Sequence, residues 1–261
     1  PAPDFSISAS PGSLSIVQGS SGTSTMTIAS INGFSGAVGL SVSGAPTGIT
    51  ATLDPTSVTP PSGGSATSTL AIEVGSSAAL GTYTLTVTGT TETLAHSTTV
   101  TLTVKAAPDF SISASPNSLT IVKGGSGTSS ITVTSLNEFS SAVTLTISGA
   151  PTGVTASFSD NPITPPSGST ATSALTINVG TSTIAGTYAL TVTGTSGTLT
   201  HNATITLIVV AAPDFSINAS PSSLSIVQAG SGTSTITITS LNGFNSAVGL
   251  SISGLPAETT G

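Results

Sequence analysis

Ala2-Pro-Asp-Phe-Ser-Ile7 is written again as Ala107-Pro-Asp-Phe-Ser-Ile112, and once more as Ala212-Pro-Asp-Phe-Ser-Ile217. The copies begin at residues 2, 107 and 212, a spacing of 105 each time. The residues between copies repeat too, so the 261-residue chain is a tandem array of about two and a half units. This period is too long for a solenoid repeat and suits a small domain that buries its own core.

Within the hexapeptide, Phe5 and Ile7 alternate with Ser6, the period of two that marks a half-buried strand. Working outward, Pro11 and Gly12 turn the chain into Ser13–Val17, which reads as the first strand continued on a second sheet. Thr23–Ile28 sends Met26 and Ile28 inward, Asn32 and Gly33 form a loop, and Phe34 tucks back toward the core. Ala37–Val42 alternates again, as does Ile49–Leu53 after the Gly44–Gly48 turn. Pro55, Pro60 and Pro61 then confine the chain to a loop or a sheet edge, because proline has no N–H for a ladder. Three long strands close the unit. They point Leu70, Ile72 and Val74, then Tyr83, Leu85 and Val87, then Val100, Leu102 and Val104 to one side. No helical period appears. About seven short strands in roughly 100 residues, parted by Gly, Pro and Asn turns, predict an all-β fold of tandem immunoglobulin-like sandwiches.

The expected boundaries are 1–105 for the first repeat, 106–210 for the second and 211–261 for the first half of a third. Phe5, Phe110 and Phe215 are equivalent core aromatics. Tyr83 and Tyr188 each open the penultimate strand in the phrase Gly-Thr-Tyr, where a tyrosine commonly bonds back to nearby backbone. The linkers Lys105–Pro108 and Val210–Pro213 are short, and Pro108 and Pro213 each fix one backbone angle. Semi-rigid joints are therefore expected. Half a sandwich cannot offset the entropy of ordering its backbone. Residues 211–261 are thus expected to belong to a longer repetitive chain or to be completed head-to-tail by strands of a neighbouring one.

Function classes are narrowed by charge. The net charge is −7 and the only basic residues are Lys105 and Lys123. Nucleic acid and polybasic membrane contacts need clustered Lys or Arg and are excluded. The longest apolar run, Ile205–Ala212, falls far short of the roughly 18 residues of a membrane span. With no cysteine there are no disulfides or thiolate metal sites. An almost uncharged hydroxyl surface predicts stability that changes little with pH.

No catalytic constellation or cofactor motif emerges, so no enzyme activity and no cofactor are expected. His96 and His201 fall once per repeat and read as exposed strand residues. Asp4, Asp109 and Asp214 stand just before each first strand, where each suits a turn cap or, less readily, an interdomain cation. Gly22, Gly127 and Gly232 precede strands, which argues against a phosphate loop. Lys123 is Gln in the sister repeats (Gln18, Gln228), so an isopeptide bond is no property of the repeat. Asn202-Ala-Thr204 and Asn218-Ala-Ser220 are sequons, making Asn202 and Asn218 candidate glycosylation sites and surface glycans candidate partners. Leu255–Gly261 is similar to a Leu-Pro-x-Thr-Gly sorting signal but carries extra residues, and reads as coincidence.

The phrases Asp109-Phe-Ser-Ile-Ser-Ala-Ser-Pro116, Pro151–Phe158 and Gly186–Gly194 resemble the tandem immunoglobulin-like repeats of large bacterial and archaeal extracellular proteins. The resemblance covers the chain except its final residues. It implies an extracellular or cell-surface location and a structural role as stalk or filament in a surface fibre or adhesion scaffold. The alternative it leaves open is a spacer, or a carbohydrate- or cell-binding accessory module, of a larger secreted enzyme or adhesin. The scarcity of aromatics, with no Trp, weighs against a carbohydrate platform.

Overall fold

The computed structural model describes residues 1–256 and 259. Most of the final stretch, including most of the sorting-signal likeness, lies outside the described residues. The chain falls into two compact units, Pro1–Asp109 and Phe110–Gly261.

Unit 1 contains β1 (Asp4–Ser10), β2 (Ser13–Val17), β3 (Ser21–Ile31), β4 (Val38–Ser43), β5 (Ile49–Asp54), β6 (Ser57–Val58), β7 (Ser65–Val74), β8 (Gly81–Thr90) and β9 (Ala95–Lys105). One sheet has the order β1-β3-β7-β5, the other β2-β9-β8-β4-β6. This is the two-sheet immunoglobulin arrangement, with the first strand divided between the sheets at Pro11. Sequence reading missed β6. Two residues between prolines look like loop, yet Val58 is buried and pairs with Val38.

Unit 2 repeats the plan with β10 (Asp109–Ser115), β11 (Ser118–Val122), β12 (Ser126–Leu136), β13 (Thr144–Ser148), β14 (Val154–Phe158), β15 (Thr170–Val179), β16 (Gly186–Ser196) and β17 (Leu199–Val210). Its sheets run β10-β12-β15-β14 and β11-β17-β16-β13. A single bridge, Val143 to Ile163, stands where unit 1 has β6. The rest of the described chain holds β18 (Asp214–Ser220) and β19 (Thr235–Leu241), paired as an antiparallel hairpin.

Each core is built from the inward residues of both sheets. Met26, Ile28, Leu70, Ile72, Leu85 and Leu102 are fully buried in unit 1, and Ile131, Leu175, Ile177, Leu190 and Leu207 in unit 2. Two glycines per unit are required by packing. A side chain at Gly89 would press on Val38 and Phe5, and one at Gly194 on Val143 and Phe110, so these glycines make room for the core phenylalanines. Gly44 and Gly149 adopt left-handed φ of 91° and 83° and sit against the carbonyl oxygens of Thr84 and Ala189.

Candidate functional site at the first and last strands

The residues singled out in the sequence gather where the chain enters and leaves each sandwich. Phe5 lies in β1 and is buried. Its ring meets Phe34 at 5.5 Å, and His96 stands edge-on to it at 4.8 Å and 89°. In unit 2, Phe110 meets Phe139 at 5.2 Å and His201 edge-on at 4.7 Å.

The histidines are therefore not bare surface residues, as the sequence suggested. His96 Nε2 is 2.8 Å from Asp4 Oδ1, and the same oxygen accepts the backbone N–H of Phe5 at 2.8 Å. An ionised carboxylate only accepts, so Nε2 carries the proton. The hydrogen bond from His96, followed by that from Phe5, holds the Asp4 carboxyl below its ordinary range, against a small opposing effect of burial. Alternation within one strand cannot reveal this contact, because β1 and β9 belong to different sheets. The signal that could have found it is the shared phase of Asp-Phe at the start of each repeat and His near its end.

Tyr83 Oη donates to Ala79 O at 2.9 Å, and Tyr188 Oη to Ile184 O at 2.9 Å. Each bond closes the turn just before the penultimate strand, the geometry of a tyrosine corner. Pro108 and Pro213 are exposed. Asn202 is exposed in β17, and Asn218 is exposed in β18. Phe215 meets Phe244 at 5.1 Å, and Asp214 Oδ1 accepts the N–H of Phe215 at 2.8 Å. Among the described residues, no group of three or more His, Cys, Asp or Glu is placed to hold a metal ion. Among the described residues, no helix is long and apolar enough to cross a membrane.

The chain enters and leaves each sandwich along strands that point the same way. β2 pairs parallel with β9, from Ser13 opposite Thr101 to Val17 opposite Lys105. β11 pairs parallel with β17, from Ser118 opposite Thr206 to Val122 opposite Val210. Asp4 lies beside His96, near the start of β9, while Lys105 ends that strand. Entry and exit are thus at opposite ends of unit 1.

Comparison with known proteins gives no matching family model and no matching curated protein. Solved structures do match. The D00-D0 domain of intimin is similar at 14% identity, covering 78% of this chain and 100% of that one, with a TM-score of 0.37. The I-band fragment I67-I69 from titin is similar at 12% identity over 91% of this chain and 76% of its own, TM-score 0.34. Domains 4 and 5 of the S-layer protein SbsC are similar at 20% identity over 53% and 69%, TM-score 0.31. With scores this low, function has to be read from the chain's own residues.

Proposed function

We propose that the chain is a non-catalytic, extracellular structural protein, a stalk or filament segment of the kind built from tandem immunoglobulin-like repeats in bacterial and archaeal surface proteins. Its repeats are 1–105, 106–210 and a third beginning at 211. The observation that carries this reading is the parallel pairing of β2 with β9 and of β11 with β17. Tension along the chain pulls the entering strand against the leaving one, parallel to both. The backbone hydrogen bonds between them are then loaded together, in shear, and cannot open one at a time.

Stretching single molecules of the full chain tests this. The expected record has two unfolding steps, each releasing about 100 residues at roughly 3.5 Å per residue, at forces well above that needed to peel a hairpin. Steps at peeling forces would overturn a load-bearing role.

The same reading gives the third segment its partner. Ile236, Ile238, Leu250 and Ile252 are exposed, and in the second repeat the equivalents of the first three, Ile131, Val133 and Leu145, are buried in the core between its two sheets. Strands of that pattern, from a longer repeat array or a neighbouring chain, would cover them and pair with the free edge of β19. Electron microscopy at micromolar concentration, with a denaturing mass, tests this. Unbranched filaments from 25-kDa chains (24.9 kDa) support donation between chains, and isolated rods oppose it. Glycans on Asn202 and Asn218 belong to this surface reading, and intact mass of natively produced protein checks them.

A further inference from the structure

We propose that Asp4 and His96, seated on Phe5, form an acid-released clasp that ties the first strand of unit 1 to its last. β1 is an edge strand of its sheet, hydrogen-bonded to β3, while β9 lies in the other sheet between β2 and β8. No backbone ladder therefore joins β1 to β9. The 2.8 Å hydrogen bond from His96 Nε2 to Asp4 Oδ1 spans the two sheets, and the edge-on contact of His96 with Phe5 holds the imidazole in place. The clasp sits where the chain enters the unit, at Asp4, the first residue of β1, which also pairs with Ile31 of β3. It goes beyond the load-bearing reading and is tested without load.

Few other charges compete. β3 carries no titratable side chain, β8 carries Tyr83 opposite Leu102, and β9 ends in Lys105 opposite Val17. Glu92 lies in the turn between β8 and β9.

The sign follows from the chemistry. Folding lowers the Asp4 pKa from its ordinary 3.8. The clasp's contribution is therefore complete above that value and is lost as pH falls through the lower folded value. It persists through neutral pH, because a neutral imidazole protonated at Nε2 still donates. The surface expected to be indifferent to pH thus has one acid-sensitive point in unit 1.

Hydrogen exchange on the full chain tests the proposal, with β7 amides as the reference for an intact fold. Asp4 and His96 are 38% and 39% exposed, so replacing either leaves the core in place. The wild type is expected to lose about two- to fivefold protection of its β1 amides between pH 6 and pH 2.5, the scale of an exposed pair. His96→Leu, which keeps apolar bulk on Phe5, should show most of that loss already at pH 6 and keep only the smaller acid step of the bond from Phe5 N–H to Asp4. Asp4→Ala, which removes both bonds to the carboxylate, should show the full loss at pH 6 and no acid step. A wild type with no acid step in β1, or an acid step of undiminished size in His96→Leu, would overturn the clasp.

Discussion

Ile131 and Ile236 are the same residue of the same phrase, one repeat apart, yet Ile131 is fully buried and Ile236 is 45% exposed. Leu145 and Leu250 differ likewise, at 2% and 58%. The pairing and turns around Ile236 do not differ from their counterparts, although β19 is shorter than β12 and Leu250 stands outside any strand where Leu145 lies in β13. β18 and β19 pair Asp214 with Leu241 and Phe215 with Ser240, the register in which β1 and β3 pair Asp4 with Ile31 and Phe5 with Ser30. Ser24, Ser129 and Ser234 donate to the carbonyls of Pro11, Pro116 and Pro221 at 2.7, 2.8 and 2.8 Å. Ser30, Ser135 and Ser240 do the same to Phe34, Phe139 and Phe244. Turns, register and short-range hydrogen bonds are thus properties of the phrase itself. Burial is a property of the partner strands, here β15–β17.

The largest way to break the comparison is to truncate the shared isoleucine in both places. Ile131→Ala leaves a cavity between two sheets and is expected to cost unit 2 about 2–5 kcal/mol. Ile236→Ala removes a side chain already nearly half exposed, with no second sheet over it, and is expected to cost under about 1 kcal/mol. Native-state hydrogen exchange of β15 and β17 amides reads the first, and that of β19 the second. Equal costs would mean that the third segment is covered in solution.

A sharper version uses one glycine in three copies. Gly44, Gly149 and Gly254 all hold left-handed φ, at 91°, 83° and 75°. A methyl group would collide with the Thr84 or Ala189 carbonyl in the first two and would meet nothing at Gly254. Gly149→Ala is therefore expected to cost upwards of about 2 kcal/mol, since strain and clash add. Gly254→Ala carries only the left-handed penalty of about 1 kcal/mol, and less where unpaired chain relaxes. Denaturant titrations of the two variants separate these outcomes.

The two complete repeats differ from each other in a smaller way. Thr183 is 1% exposed and its hydroxyl has no hydrogen-bond partner, whereas unit 1 has a buried alanine, Ala78, at that position. A buried hydroxyl left unpaired costs about 1–3 kcal/mol. Thr183→Ala is accordingly expected to stabilise unit 2 by about 1 kcal/mol, read as a higher denaturation midpoint with an unchanged slope. A loss of stability would mean that the hydroxyl is bonded in solution.

Most of the fold was legible because apolar and hydroxyl residues alternate with so little interruption. Phe5, Leu85 and Val104 announce their inward faces without help from neighbouring strands. The repeat supplied the rest, since a turn read once, as at Asn32-Gly33, is read again at Asn242-Gly243. What stayed hidden depends on contacts between strands distant in sequence. Val58 is buried only because β4 runs beside it. His96 meets Asp4 only because the two sheets bring β1 and β9 together. Neither fact leaves a trace in the periodicity of a single strand.

Tyr83 and Tyr188 give the smallest effect and the finest test of what is local. Each hydroxyl reaches back four residues, Tyr83 to Ala79 and Tyr188 to Ile184, at the same 2.9 Å. The acceptor residues differ, and so do the turns around them, yet the distance is the same. The bond therefore depends on the backbone path into β8 and β16 and not on the side chain of the acceptor. Both hydroxyls are accessible to solvent, so water can replace the lost partner. Tyr188→Phe is expected to cost only about 0.5–1 kcal/mol, with the Ile184 and Ala185 amides exchanging faster and those of β17 unchanged. If the β17 amides also lost protection, the tyrosine would be holding the last strand as well as the turn, and the corner would belong to the load path.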